Sequence, residues 1–302
     1  MNMSVGYFVN AICTPLEDDE SVHVGGLEAH LADQWDHGIE GVLAAGNMGQ
    51  MPLLRDETWR QLITESARLC ADRGELLVGA GDMSFERTRH RIEFVNGHDV
   101  DGVVVMTPYY AAFSQPRLVE YYLALADIAK APLYLYDLPA VAGVGIAMET
   151  YLAVREHPNI QGTKISGRFD FARQLMSRLR DTFRIIIAEP LITDVTLRSG
   201  FSQQLDGIYS ILPAWLEQLR AGAAAGHWDQ AAHWQRRITH VRNVMLSCDS
   251  PMSFATAILN ARGIEGKCHV RPAGPLSDAE REQVFEDSVI KELIEAGATA
   301  PA

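Results

Sequence analysis

The chain has 302 residues, 47% of them hydrophobic, and a formal net charge of −13. Such a length fits two ordinary domains, or one α/β barrel of about 250 residues with an appendage, and buries a large core without metal or disulfide staples. The acidic balance argues against a nucleic-acid binder, which needs a basic footprint.

Short β-rich runs alternate with longer amphipathic stretches. Tyr7–Cys13 reads as a first strand, stopped by Pro15, and Val24–His37 as a helix. Gly41–Ala45 is a second strand, followed by a glycine-flanked loop, Gly46–Gln50, and a helix over Asp56–Ala71. Leu76–Ala80 and Gly102–Met106 are the third and fourth strands; Ser84 caps the helix between them. A helix starts at about Pro116, where proline is well placed. Pro132–Tyr136, Ile160–Ile165, Phe183–Ala188 and Gly207–Ile211 are strands five to eight, with helices at Met148–Arg155, Phe169–Leu179 and Leu191–Arg198. Near-continuous apolar strands separated by helices define a parallel sheet covered on both faces. Eight of them over about 200 residues predict a closed (β/α)₈ TIM barrel.

From Pro213 onward the pattern is helical: Pro213–Ala225, His227–Leu246, Ser250–Ala261 and Asp278–Ala296. Ser277 and Glu280 form a capping box, and Gly297 is placed to stop the last helix. The expected division is a barrel over 1–225 and a C-terminal helical extension over 226–302. Met1–Tyr7 lacks the basic and apolar regions of a signal peptide, and no apolar run exceeds strand length. The four scattered cysteines, Cys13, Cys70, Cys248 and Cys268, form no zinc-type spacing. A cytoplasmic, reducing setting without membrane or metal is expected. Cys13, for which no basic partner is identifiable, reads as a small buried hydrophobe.

In such a barrel the chemistry sits at the carboxyl ends of the strands. There Lys164 lies within the otherwise largely apolar run Gln161-Gly-Thr-Lys-Ile-Ser166. Lysine is rarely buried unless paired or functional. Desolvation in the lumen leaves a neutral amine, which attacks a carbonyl to give a Schiff base. Its bland reading is a side chain snorkelling from a strand end. Tyr136 ends the neighbouring strand, so its phenol is a proton shuttle or else an ordinary core aromatic with a wet hydroxyl.

With Thr14-Pro15, Gly46-Asn-Met-Gly-Gln50, Thr107-Pro-Tyr-Tyr110, Tyr136-Asp-Leu-Pro139, Gly162-Thr-Lys164, Asp206-Gly207 and Arg271-Pro272 in order, the chain resembles the dihydrodipicolinate synthase/N-acetylneuraminate lyase family. These are pyruvate-dependent class I aldolases of barrel fold, and the likeness spans essentially the whole chain. It implies that Lys164 forms the enamine with a 2-oxo acid, that Tyr136 moves protons, and that Tyr110 is lent across a subunit interface. It also implies a homotetramer built as a dimer of dimers. The loop Asn47, Met48 and Gly49 would grip the 2-oxo-acid carboxylate through backbone N–H groups, which survive side-chain change.

Departures from the family pattern narrow the reading. Asn47 and Met48 replace its hydroxyl pair, and methionine cannot relay a proton. Gln50 replaces a glutamate, and Val141 stands near where dihydrodipicolinate synthases carry an arginine for the second substrate's carboxylate. Glu189 and Tyr209 or Ser210 could serve as the polar groups that bind the partner after strands seven and eight. The expectation is therefore a Schiff-base lyase acting on pyruvate or a related 2-oxo acid and an aldehyde, with no cofactor. It is not expected to be a typical dihydrodipicolinate synthase. The alternatives are a 2-keto-3-deoxy sugar acid dehydratase using the same lysine, and a non-catalytic 2-oxo-acid-binding relative.

Overall fold

The computed structural model describes residues 6–298. Met1–Val5, on which most of the amino-terminal reading rests, lie outside the described residues. Eight parallel strands close a barrel in sequence order: β1 (Tyr7–Ala11), β2 (Gly41–Ala44), β3 (Glu75–Gly79), β4 (Gly102–Met106), β5 (Leu133–Asp137), β6 (Ile160–Ser166), β7 (Arg184–Ala188) and β8 (Gln203–Asp206). Helices α1 (Val24–Asp36), α2 (Asp56–Cys70), α3 (Phe85–Val95), α4 (Gln115–Ile128), α5 (Pro139–Ala142), α6 (Met148–Val154), α7 (Phe169–Leu179) and α8 (Thr193–Arg198) connect them. After β8 come α9 (Pro213–Ala224), α10 (Trp228–Ser247), α11 (Pro251–Ala261), α12 (Asp278–Glu286) and α13 (Ser288–Ala298). The expected TIM barrel with a C-terminal helical extension is the observed architecture.

Two expectations are corrected. Strand eight is Gln203–Asp206, and Ile208–Ile211 is a 3₁₀ turn. The polar pair Gln203-Gln204 hides the strand, because both amides are satisfied inside the protein: Gln203 accepts from Arg184 at 2.9 Å and Gln204 donates to the Phe201 carbonyl at 3.0 Å. The last helix is two helices, broken at Asp287. That carboxylate accepts the N–H groups of Val289 and Ile290 at 2.9 and 3.0 Å, capping α13. Gly297 does not stop α13 but lies within it. A Cβ there would strike the Arg262 guanidinium, so close packing explains this glycine.

The lower lumen is solid. The Arg184 guanidinium pairs with Glu75 and lies over the rings of Tyr7 and Tyr134. The Tyr134 ring lies against Gly102 and Gly162; a Cβ on Gly162 would come within 2.8 Å of it and 2.4 Å of the Arg184 carbonyl. The glycine two residues before Lys164 therefore makes room for the floor on which the lysine rests. Gly162→Ala is expected to lower stability by about 1–3 kcal/mol, the usual cost of overpacking. Thermal unfolding checks this as a Tm several degrees lower; an unchanged Tm contradicts the packing argument.

Candidate active site

Strand alternation places Lys164. Thr163 points to the helices, where its hydroxyl meets Tyr151 of α6 at 3.1 Å. Lys164 and Ser166 therefore face the lumen. The register sets Tyr136 directly opposite Lys164, with Met106 beside Tyr136 and Ile186 beside Lys164. Registered partners on parallel strands share a face, so the amine and the phenol meet. The Lys164 Nζ lies 3.7 Å from the centroid of the Tyr136 ring, and the residue is 4% exposed. Its Nζ donates to the Ser166 hydroxyl at 3.5 Å, a long contact.

These surroundings favour the uncharged amine. Desolvation draws the Lys164 pKa down to about 7, against the Asp206 carboxylate, which raises it. Contact with an aromatic face favours the cation slightly, but burial outweighs it. Burial also pushes the Tyr136 phenol upward, with Asp206 adding to the rise and Ser166 opposing it. The rate of imine formation with pyruvate, read by borohydride trapping, is expected to rise through about pH 7 and then level off. A rise continuing toward the ordinary lysine value of about 10.4 would contradict this environment.

The loop after β2 crosses the mouth beside this pair. Ala45 and Gln50, at its two ends, adopt left-handed φ of 52° and 56°. Such strain persists where the surroundings over-determine it. The Thr14 hydroxyl donates to the Gly49 carbonyl at 2.8 Å, and Gln50 Oε1 accepts the Val270 N–H at 3.1 Å. A neutral amide serves the second task, so the residue in the family's glutamate position ties the loop to the C-terminal segment. Among the described residues the N–H groups of Met48 and Gly49 donate to no backbone acceptor. Gly46, Asn47, Met106 and Tyr136 border one narrow cavity. Asn47 is exposed, whereas Met48 is half-buried and packs on Gly207, where a Cβ would sit 2.6 Å from its own Cβ.

Other expected site residues lie elsewhere. Tyr209 is fully buried, edge-on to Phe8, and its hydroxyl meets Thr193 at 2.6 Å. It lies beyond β8, because the strand ends at Asp206 and not at Ile211 as its sequence suggests. Glu189 is half-buried, and the backbone N–H groups of Gly167, Arg168 and Phe169 at the start of α7 act to lower its pKa. Burial, with Asp206 adding, raises its pKa despite those donors. Tyr110 is 85% exposed, and it is Tyr109 that turns inward, its hydroxyl 3.4 Å from Asp82.

Two groups were missed. Asp206, the last residue of β8, is the charge that acts on both Lys164 and Tyr136. Burial raises its own pKa, while Lys164 and Arg242 oppose the rise. Arg168 donates to the buried Asp137 carboxylate at 2.5 Å and to the Ile146 carbonyl at 2.9 Å, joining the loops after β5 and β6. Nothing in an exposed-looking Gly-Arg-Phe segment signals that partner.

A closed parallel barrel holding a desolvated lysine on an aromatic ring at its mouth is the constellation of a class I, Schiff-base-forming lyase. The sequence model of the dihydrodipicolinate synthetase family matches residues 5–291, and the chain belongs to that family. A 4-hydroxy-tetrahydrodipicolinate synthase from Leuconostoc mesenteroides is 25% identical over 277 residues, covering 90% of this chain and 94% of the relative. One from Exiguobacterium sp. is 26% identical over 276 residues, covering 88% and 91%. Among solved structures, a dihydrodipicolinate synthase from Acinetobacter baumannii complexed with pyruvate superimposes with a TM-score of 0.85 at 23% identity, covering 97% of this chain and 99% of the other. One from Bacteroides thetaiotaomicron gives 0.88 at 22% identity, covering 97% and 100%. The chemistry of the family is pyruvate-dependent Schiff-base aldol chemistry, and this chain is an enzyme of that class.

Proposed function

We propose that the protein forms or cleaves a C–C bond between pyruvate, or a related 2-oxo acid, and an aldehyde that bears no acidic group. The observation that carries this reading is the buried Lys164 amine seated on the Tyr136 ring. In the aldol direction the neutral amine adds to the keto carbon and water leaves, giving an iminium. Loss of a C3 proton gives the enamine, whose C3 attacks the aldehyde. Tyr136 serves as the acid/base at the substrate oxygen, and the Met48 and Gly49 N–H groups, aided by Asn47, receive the carboxylate. A prophage protein of the same family from E. coli K12, similar in fold with a TM-score of 0.86, is described in complex with pyruvate, which supports this choice of donor.

The acceptor class follows from the mouth. Val141 is 42% exposed and offers no guanidinium, and the acidic residues Glu189 and Asp206 lie on the same side of the barrel. An aldehyde with a carboxylate would meet repulsion where a synthase of lysine biosynthesis would offer a charge-assisted bond. Neutral aldehydes are expected to exceed acidic semialdehydes in kcat/KM by about tenfold or more, the worth of one such bond. The test is a panel of aldehydes with pyruvate, read by pyruvate consumption and product mass. An acidic semialdehyde as the best acceptor would overturn the assignment. A dioxo acid of unchanged carbon count, formed from a 2-keto-3-deoxy sugar acid, would instead identify a dehydratase using the same lysine. Pyruvate binding without any turnover would identify a non-catalytic relative.

Self-association belongs to the same proposal. Tyr110 stands 85% exposed in a stretch that also shows Phe113 at 39% and, from the neighbouring loop, Met83 at 40%. Large apolar side chains clustered outside the core mark an interaction surface. Sedimentation is expected to give a species larger than the 33.4 kDa monomer, a homotetramer, and a monomer at micromolar concentration would contradict it.

A further inference from the structure

The loop after β5 is fastened to its neighbours by side chains. Over 138–146 it contains the single turn α5, ended by Gly143 at a left-handed φ of 72°. Among the described residues no backbone-to-backbone bond ties 138–146 to another element; the N–H groups of Val141, Ala142 and Gly143 return to Leu138 and Pro139. Its far end is pinned at one buried point. The Ile146 N–H donates to Asp137 Oδ1 at 3.1 Å, and the Ile146 carbonyl accepts from Arg168 Nη1 at 2.9 Å. The same nitrogen pairs with Asp137 Oδ2 at 2.5 Å, and the Tyr151 hydroxyl donates to that oxygen at 3.3 Å. The Arg168 guanidinium lies 3.9 Å from the centre of the Phe171 ring and beside Gly145, where a Cβ would come within 2.9 Å of it. Gln115, at the start of α4, adds a second tie: its Nε2 donates to the Gly145 carbonyl at 2.9 Å, and its Oε1 accepts the Ala147 N–H at 2.8 Å.

The pin is built around a charge. Asp137 is fully buried, and burial pushes its carboxyl upward, with Arg168 foremost among the groups that oppose the rise. A buried charge stripped of its partner is costly, so the two residues depend on each other. Their placement bears on the reaction. Asp137 directly follows Tyr136, and Arg168 lies four residues beyond Lys164. The amine and the phenol are set by the β5–β6 ladder, and the pyruvate carboxylate is assigned to the loop after β2. What the ion pair fixes is the loop over 138–146, whose Val141 stands 42% exposed at the mouth.

We propose that Arg168 is a positioning residue for the second half of the reaction: through Asp137 and the Ile146 carbonyl it holds 138–146 as a fixed wall of the aldehyde subsite, a role that rests on the aldol function proposed above. A neutral aldehyde offers few polar handles, so its placement depends on the shape and rigidity of the walls around it. A misplacement of about 1 Å costs on the order of 10²-fold in rate.

The experiment compares full-length wild type, Arg168→Met and the double variant Asp137→Asn/Arg168→Met. Each is read by borohydride trapping of pyruvate, by aldehyde kcat/KM at saturating pyruvate, by Tm, and by hydrogen exchange of the peptide covering 138–147. In Arg168→Met, trapping should stay near the wild-type rate, while aldehyde kcat/KM should fall by about 10–100-fold, mostly through KM. Exchange over 138–147 should quicken. The Tm should drop, because Asp137 loses its partner. The double variant should regain the Tm, since no charge stays buried alone. It should keep the aldehyde defect and the fast exchange, since the Ile146 carbonyl still lacks its donor. This variant carries the test if Arg168→Met does not fold. Recovery of Tm and aldehyde kcat/KM together would make the pair a purely structural one and overturn the proposal. So would an unchanged aldehyde kcat/KM, unchanged exchange over 138–147, or equal losses in trapping and turnover. A wild type that forms no pyruvate adduct, or joins pyruvate to no aldehyde, would refute the aldol function itself, and this role with it.

Discussion

Replacing Lys164 with alanine should abolish the borohydride-trapped adduct with pyruvate and lower turnover by on the order of 10⁴-fold or more, about 5 kcal/mol of barrier. No other amine takes its place, because the positions around it are Met106, Tyr136, Ile186 and Ser166. Lys164→Arg should fail equally, since a guanidinium stays protonated and cannot add to a carbonyl. Stability should move the other way in Lys164→Met, which keeps the volume and removes the buried charge. The folded amine titrates at about 7 and the unfolded one near its ordinary value, so between these the unfolded state binds more protons. Wild-type stability from this group therefore rises with pH across that window. The gain from methionine should be on the order of 3 kcal/mol below pH 7 and should fade toward about pH 10. Chemical denaturation at pH 6 and pH 9 separates the two; a loss of stability at pH 6 would mean that the amine is favourably paired.

Tyr136→Phe is the second large effect. Phenylalanine keeps the ring under the lysine, so the amine stays desolvated and trapping with pyruvate should proceed at a near-normal rate. Turnover with the aldehyde should fall by about 10²–10⁴-fold, the usual worth of a positioned acid/base. The split between trapping and turnover is the diagnostic. Equal losses in both would assign Tyr136 to holding the lysine. No loss in either would leave proton transfer to another group, of which Asp206 is the ionisable one acting on the pair.

The sequence disclosed most of this fold because the rules it follows are local. The near-continuous apolar runs at Gly102–Met106 and Leu133–Asp137 can only be central parallel strands, and they locate the opening at their carboxyl ends. Lys164 was conspicuous as a charge in such a run. What stayed hidden depends on partners distant in sequence. Gln203-Gln204 looks unlike a strand until Arg184 and Phe201 are seen satisfying the amides. With the strand misplaced, Tyr209 stood at the mouth on paper, and Asp206 fell ahead of the strand it in fact ends. Burial, the quantity that sets the chemistry of Lys164 and Asp206 alike, is a property of the closed barrel and not of any one segment.

The most direct test of the central claim is reduction with borohydride in the presence of pyruvate, read by intact mass and peptide mapping. One reduced pyruvyl group per chain is expected, carried on the peptide containing Lys164 and formed readily at neutral pH. An adduct spread over surface lysines, or none with pyruvate or with any of a panel of 2-oxo acids, would contradict it.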